Sequence, residues 1–143
     1  LPLQTFAVMA ATHPLAQEAQ VSVNDLRDYP MVLLDLPHSA EYFLSFFARL
    51  DAKPIIAERT KDMAVMRSLV ANGFGYSIAN VRPLNDMSPD GKPLKYIPMR
   101  QPARPMRMGL LMPTDAERAN VIRAFVDHCK HQHDTGNFPG IAG

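Results

Sequence analysis

Between Met31 and Phe47 the chain reads MVLLDLPHSAEYFLSFF, and this stretch constrains the fold more than any other. Met31–Leu36 is short and apolar, interrupted only by Asp35, which is the pattern of a strand buried on both faces. Pro37 ends it. Ser39 is placed to act as an N-cap, its hydroxyl accepting from an orphan amide of the helix that follows. Glu41 in the first turn would complement the dipole. Phe43, Phe46, Phe47 and Leu50 recur at helical spacing and predict one face buried against a sheet. A strand feeding a helix leaves free amides beyond the strand's carboxyl end, where open α/β sheets bind ligands and where carboxylates are favoured. The same Pro-His-Ser run also suits a plain turn, and local sequence does not choose between the two.

The flanking chain supplies the rest of a sheet. Leu3–Ala11 reads as a strand broken by Thr12-His13-Pro14-Leu15-Ala16. Val21–Tyr29 suggests a short helix with Ser22 or Asn24 as cap, stopped at Tyr29-Pro30. Pro54–Glu58 is a second β-type run. Arg59-Thr60-Lys61-Asp62 then carries cap residues before a helix over Met63–Asn72, with Met63, Met66, Leu69 and Val70 as its buried stripe. Asn72-Gly73 is a helix stop, and Gly75–Asn80 predicts another strand. Val81–Pro93, with its prolines and Asp90-Gly91, reads as a loop. Leu94–Met99 and Met106–Met112 read as strands joined by Arg100–Pro105. The last helix is capped by Thr114 or Asp115 and carries Ala119, Val121, Ile122, Phe125 and Val126 towards His131. This alternation predicts an α/β sandwich with a mostly parallel sheet, and the two late strands suggest a chain passing into another lobe.

Composition narrows the function. With 143 residues, the chain can bury one sizeable core. Basic and acidic residues are interspersed at a net charge of +1, so no concentrated patch for nucleic acid is present. The single cysteine, Cys129, excludes an intrachain disulfide framework and is compatible with a reducing compartment. No apolar run approaches the length of a membrane helix. The opening Leu1-Pro2, without methionine, predicts a piece of a longer protein.

The motifs with chemical potential are weak. Gly73-Phe74-Gly75 follows a helix and precedes a strand, the reverse of a nucleotide-binding loop, and reads as a helix stop with close packing. His128-Cys129-Lys130-His131-Gln132-His133 offers pairs at helical spacing, but at a helix end, where histidines also suit the dipole. Ser39 beside His38 lacks a nucleophile elbow. Asp35 could sit at an edge, pair with a basic residue or face a cleft. Arg104 and Arg107 could steer an anion or simply be solvated. No catalytic set, cofactor fingerprint or complete metal set emerges.

In combination, these segments resemble the effector-binding domain of LysR-type transcriptional regulators. His13-Pro14-Leu15-Ala16 matches the family's "HPLA" turn, and Val23-Asn24-Asp25-Leu26 its "L-x-D-L" helix, with valine for the first leucine. Met31–Leu36 follows, and then Val70-Ala71-Asn72-Gly73-Phe74-Gly75-Tyr76-Ser77-Ile78 matches the helix-to-strand passage. The resemblance runs from about Leu3 to Phe125. It implies an α/β, type II periplasmic-binding-protein-like fold, in which two lobes joined by crossing strands hold a small effector between them. On that template residues of about 6–100 form one complete lobe. Residues of about 106–133 return as the last strand and helix of the other, and 134–143 form a flexible tail.

The resemblance also places the effector contacts of this lobe at Pro37, His38 and Ser39, with Thr60 and Asn80 as neighbouring cleft positions. Asn80 departs from the apolar-Pro ending common in the family. The implied protein is a cytoplasmic, non-enzymatic, homo-oligomeric regulator without cofactor or membrane partner. It would sense a small molecule, with a carboxylate suggested by the helix N-terminus, and touch DNA only through an N-terminal domain outside this chain. An incomplete cleft implies weak effector binding by this chain alone. The rival is a periplasmic solute receptor of the same fold serving a transporter, which would need a secretory signal. More distant is an enzyme on this fold, which would show turnover.

Overall fold

A computed structural model of the chain describes residues 1–100, 105–116 and 119–136. In chain order the elements are β1 (Phe6–Ala10), α1 (Val23–Leu26), β2 (Pro30–Leu34), α2 (Ser39–Ala48), β3 (Ile55–Thr60), α3 (Met63–Ala71), β4 (Ser77–Ala79), β5 (Leu94–Pro98) and α4 (Asn120–Asp134).

Most boundaries follow from local chemistry. The Asp25 carboxylate accepts from the amide and the hydroxyl of Ser22, each at 2.7 Å, so Ser22 rather than Asn24 starts α1. These bonds hold the Asp25 carboxyl below the usual carboxylate range. Asp62 caps α3 by accepting from the Ala64 and Val65 amides at 2.7 and 3.1 Å. Gly73, at φ +84°, closes that helix as expected. Leu50 lies past the end of α2 and is exposed, so it does not extend the phenylalanine stripe.

β1 lies antiparallel between β4 and β5, while β2 and β3 pair in parallel. A parallel bridge at Met31 and Tyr76 joins the two sets: the Val32 amide donates to the Tyr76 carbonyl at 2.7 Å, and the Tyr76 amide donates to the Pro30 carbonyl at 3.0 Å. The order across the sheet is therefore β3-β2-β4-β1-β5. All strands but β1 run the same way. The sequence predicts a mostly parallel sheet; the structure inserts β1 reversed, because an apolar run specifies burial and not direction.

Both faces of this sheet are covered, which is why its central strands are apolar throughout. Ala7, Met9, Met31, Leu33, Tyr76 and Ile78 meet Leu26, Phe43 and Phe47 on the α1/α2 face. Val8, Val32, Leu34 and Ala79 meet Met66 and Val70 on the α3 face.

The late segments differ from expectation. Met106–Met112 forms no strand of its own, only a short antiparallel pairing with the first residues. The Leu3 amide donates to Met106, the Met108 amide to Leu1, each at 2.8 Å, around a bridge between Pro2 and Arg107. A strand needs a partner edge, and residues 109–112 pair with none among the described residues. α4 begins after Ala119, with Thr114 and Asp115 left in a preceding turn. Of its predicted stripe Val126 is buried, whereas Val121 and Phe125 are 80% and 57% exposed. Asp134 still belongs to α4, and 137–143 of the predicted tail lie outside the described residues.

The turn after β1 is pinned by His13, whose Nδ1 accepts from the Leu15 amide at 3.1 Å while its ring lies 4.7 Å from that of Tyr29. Partial burial lowers its pKa from the ordinary 6.5, and protonation of Nδ1 would remove the acceptor. The unfolded chain therefore takes up this proton at higher pH than the folded one. The stabilisation is complete above pH 6.5 and fades as pH falls through the lower folded value. In His13→Asn, the loss of stability between about pH 7.5 and about pH 5 becomes shallower than in the wild type. Parallel denaturation curves at the two pH values test this, and identical slopes in both proteins would sink it.

Candidate functional site

The carboxyl ends of β2, β3 and β4 share one edge of the sheet, and the candidate residues lie along it. The β2–β3 ladder extends one residue beyond β2, through the Asp35 amide donating to the Thr60 carbonyl at 2.7 Å. Of the three roles open to Asp35, the structure selects pairing with a basic residue: Arg59 stands 3.4 Å from its carboxylate. Both groups are substantially exposed, so the pair orients the strand end more than it stabilises it.

Beyond Leu36 the chain turns sharply. The Ser39 amide donates back to the Pro37 carbonyl at 2.8 Å, which closes a γ-turn centred on His38 at φ +65° and ψ −34°. This backbone region is costly for a residue with a side chain. His38, not Ser39, is thus the N-cap residue of α2, and its side chain makes no capping bond. Ser39 becomes the first helical residue because the γ-turn, rather than a hydroxyl, takes its amide. Ala40 donates to Leu36 at 3.1 Å and Tyr42 to His38 at 3.2 Å. Of the first three amides of α2, that of Glu41 alone has no partner among the described residues, so fewer are free than the sequence implies. Pro37 and His38 are exposed and Ser39 half-buried. The Ser39 hydroxyl has no protein partner among the described residues.

The other two candidates separate. Thr60 sits opposite Leu34 in the register, on the α3 face, and its Oγ1 accepts from the Asp62 amide at 3.1 Å. It serves the start of α3. Asn80 follows β4 on the opposite face, beside Thr5, and is 6% exposed. Its Nδ2 donates to the Gln4 carbonyl at 3.1 Å and to Thr5 Oγ1 at 3.0 Å. Because the Gln4 carbonyl can only accept, the nitrogen must face it. Oδ1 is sealed from solvent without a partner among the described residues. Asn80 thus shares the α2 face with the Pro37-His38-Ser39 turn and ties β4 to β1, whereas Thr60 does not share that face.

Thr5 and Tyr42 are the residues that the sequence did not single out. Tyr42 Oη accepts from the Met106 amide at 3.0 Å, joining α2 to the return segment. A buried threonine opening a strand and a tyrosine among phenylalanines read simply as core, so neither carried a signal. Arg107, next to Met106, is exposed; Arg104 lies outside the described residues.

No group of three or more histidine, cysteine or acidic residues is placed to hold a metal among the described residues. Cys129 and His133 instead line an apolar hollow of about 270 Å³ with Leu1, Met108 and Leu110. A second hollow of about 330 Å³ lies over α3 at Val65, Leu69 and Phe74. Neither is lined by Pro37, His38, Ser39, Thr60 or Asn80. No helix among the described residues is long and apolar enough to cross a membrane.

Comparison with known proteins agrees with this architecture. The model of the LysR substrate binding domain matches residues 2–134. Over 73 residues, 49% of the chain, the sequence is 32% identical to the HTH-type transcriptional regulator TtuA of Agrobacterium vitis, of which that region is 24%. The crystal structure of HinK, a LysR family transcriptional regulator from Pseudomonas aeruginosa, aligns with a TM-score of 0.81 at 34% identity. That alignment covers 92% of this chain and 46% of HinK. The effector binding domain of QuiR in complex with shikimate aligns with a TM-score of 0.57 at 25% identity, over 73% of this chain and 50% of that one. The chain spans half or less of the length of each of these proteins.

Proposed function

We propose that this chain, which belongs to the LysR substrate binding domain family, is the effector-sensing part of a DNA-binding transcriptional regulator. Its fold is the α/β, type II periplasmic-binding-protein-like fold of that family. The small molecule is held at the carboxyl edge of the sheet by Pro37, His38 and Ser39, with Asn80 bracing the same face and Thr60 the start of α3. The observation that carries this reading is the β2–α2 turn. There a strained His38 and a Ser39 hydroxyl with no partner among the described residues stand at the edge where such sheets bind ligands.

A carboxylate suits the remaining Glu41 amide and the positive end of α2, and shikimate, the molecule seen with QuiR, carries one. Residues of about 6–100 act as one lobe, and about 106–133 return to the other. The pairing of Leu1–Leu3 with Met106–Met108 supports two crossing segments, and the bare Val121 and Phe125 on α4 support a lobe completed by further chain. Effector between the lobes then shifts a homo-oligomer between geometries read by distant DNA-binding helices, in the cytoplasm. No catalytic step is assigned: His38 and Ser39 make no hydrogen bond to each other, and the matched relatives are regulators. That same relationship disfavours a transport receptor.

Ser39→Ala in the full-length regulator removes one hydrogen bond to the effector. The concentration of effector needed for half response rises by about five- to tenfold, while the unfolding midpoint stays within error. A dose–response curve superimposing on the wild type would remove Ser39 from the site.

A further inference from the structure

We propose that Tyr42 is a positioning residue that ties the effector-site turn to the segment crossing towards the other lobe. This rests on the effector-site reading for the identity of the turn, but its geometry is independent of any ligand. Tyr42 is joined to the turn at one end, its amide donating to the His38 carbonyl at 3.2 Å. At the other end its Oη accepts from the Met106 amide at 3.0 Å, across 64 residues of sequence. Met106 in turn accepts from the Leu3 amide at 2.8 Å, so the link continues into the opposite crossing segment.

The tyrosine is well suited to carry displacement. Its ring packs against Phe43 and Phe46, with centroids 5.4 and 4.8 Å away, and is held within the first turns of α2 rather than free to swing. The Ser45 hydroxyl donates to its carbonyl at 2.6 Å, fixing its backbone as well. His38 stands in a costly conformation that persists only while the flanking elements hold it. A change in that turn alters the carbonyl that the Tyr42 amide bonds, and a rigid ring moves Oη with the backbone. Met106 is the first group outside the lobe's core that feels it.

The test uses the full-length regulator and no effector. Amide hydrogen exchange is followed at Met106 and Leu3 in the wild type, Tyr42→Phe, His38→Gly and the double variant. Both substitutions are mild, since phenylalanine keeps the ring and glycine accepts the positive φ. Tyr42→Phe is expected to speed exchange at Met106 by about fivefold or more. His38→Gly is expected to change Met106 exchange by roughly twofold or more when the Tyr42 hydroxyl is present, and not when it is absent. A tyrosine that merely packs would leave the two single effects additive. The proposal is overturned if Met106 exchange ignores the hydroxyl, or if His38→Gly acts equally in both backgrounds. Failure of the effector reading would appear separately, as an unchanged dose–response in Ser39→Ala.

Discussion

Gly75→Ala is expected to destabilise the domain by about 3 kcal/mol or more, since it combines backbone strain with a steric clash against backbone. Gly75 has φ +145°, and a Cβ there would run into the Pro30 carbonyl, whose carbon lies only 2.7 Å from the ideal position. The neighbour cannot yield cheaply. The Pro30 carbonyl accepts from the Tyr76 amide at 3.0 Å, and the Tyr76 carbonyl accepts from Val32 at 2.7 Å. These bonds join the two-stranded and three-stranded parts of the sheet, so making room for a methyl group loosens that seam. Gly73 is the internal control: it also has positive φ, at +84°, but nothing lies within 4 Å of its Cβ position. Gly73→Ala should cost only about 1 kcal/mol. Urea denaturation of both variants checks the contrast, and equal midpoints would refute the packing argument.

Phe47→Ala is expected to cost about 3–5 kcal/mol, the range for an aromatic side chain removed from a close-packed core. Phe47 is fully buried, on the face of α2 that meets the sheet. Its loss matters beyond stability, because α2 presents Ser39 and the Glu41 amide at the sheet edge, and the inner phenylalanines seat the helix. Effector response should therefore weaken in any folded fraction that remains. Leu50→Ala, one turn further and half exposed, should change stability by no more than about 0.5 kcal/mol. Denaturation midpoints for the pair decide it; a Phe47→Ala midpoint near that of Leu50→Ala would mean that α2 is held by something other than its aromatic face.

Features governed by neighbours in the chain were legible. A cap at Ser22, Asp62 capping α3, Gly73 closing it and the apolar run of β2 are each set within four residues. The segments resembling LysR-type regulators lie in these stretches, which is why family and fold could be anticipated from one sequence. The position of the candidate turn was legible for the same reason, as strand, proline and helix are read locally. Its inner geometry was not. Whether Ser39 or His38 begins α2 depends on a γ-turn whose strain is tolerated only because both flanking elements are anchored elsewhere.

What remained was decided by contacts distant in sequence. Nothing in Leu3–Ala11 says that β1 runs against its neighbours, because burial is written in the apolar run and direction only in the pairing with β4 and β5. Asn80 and Thr60 look alike as polar ends of parallel strands, yet register places them on opposite faces and gives them different partners. Met106 finds Tyr42 only once α2 is seated, and α4 keeps an apolar stripe that the described chain does not cover. Local sequence determined which segments become strands, helices and turns, with Met106–Met112 the exception. Tertiary structure determined which of their polar groups remain available, since a hydrogen-bonding group is free only after every long-range partner has been assigned.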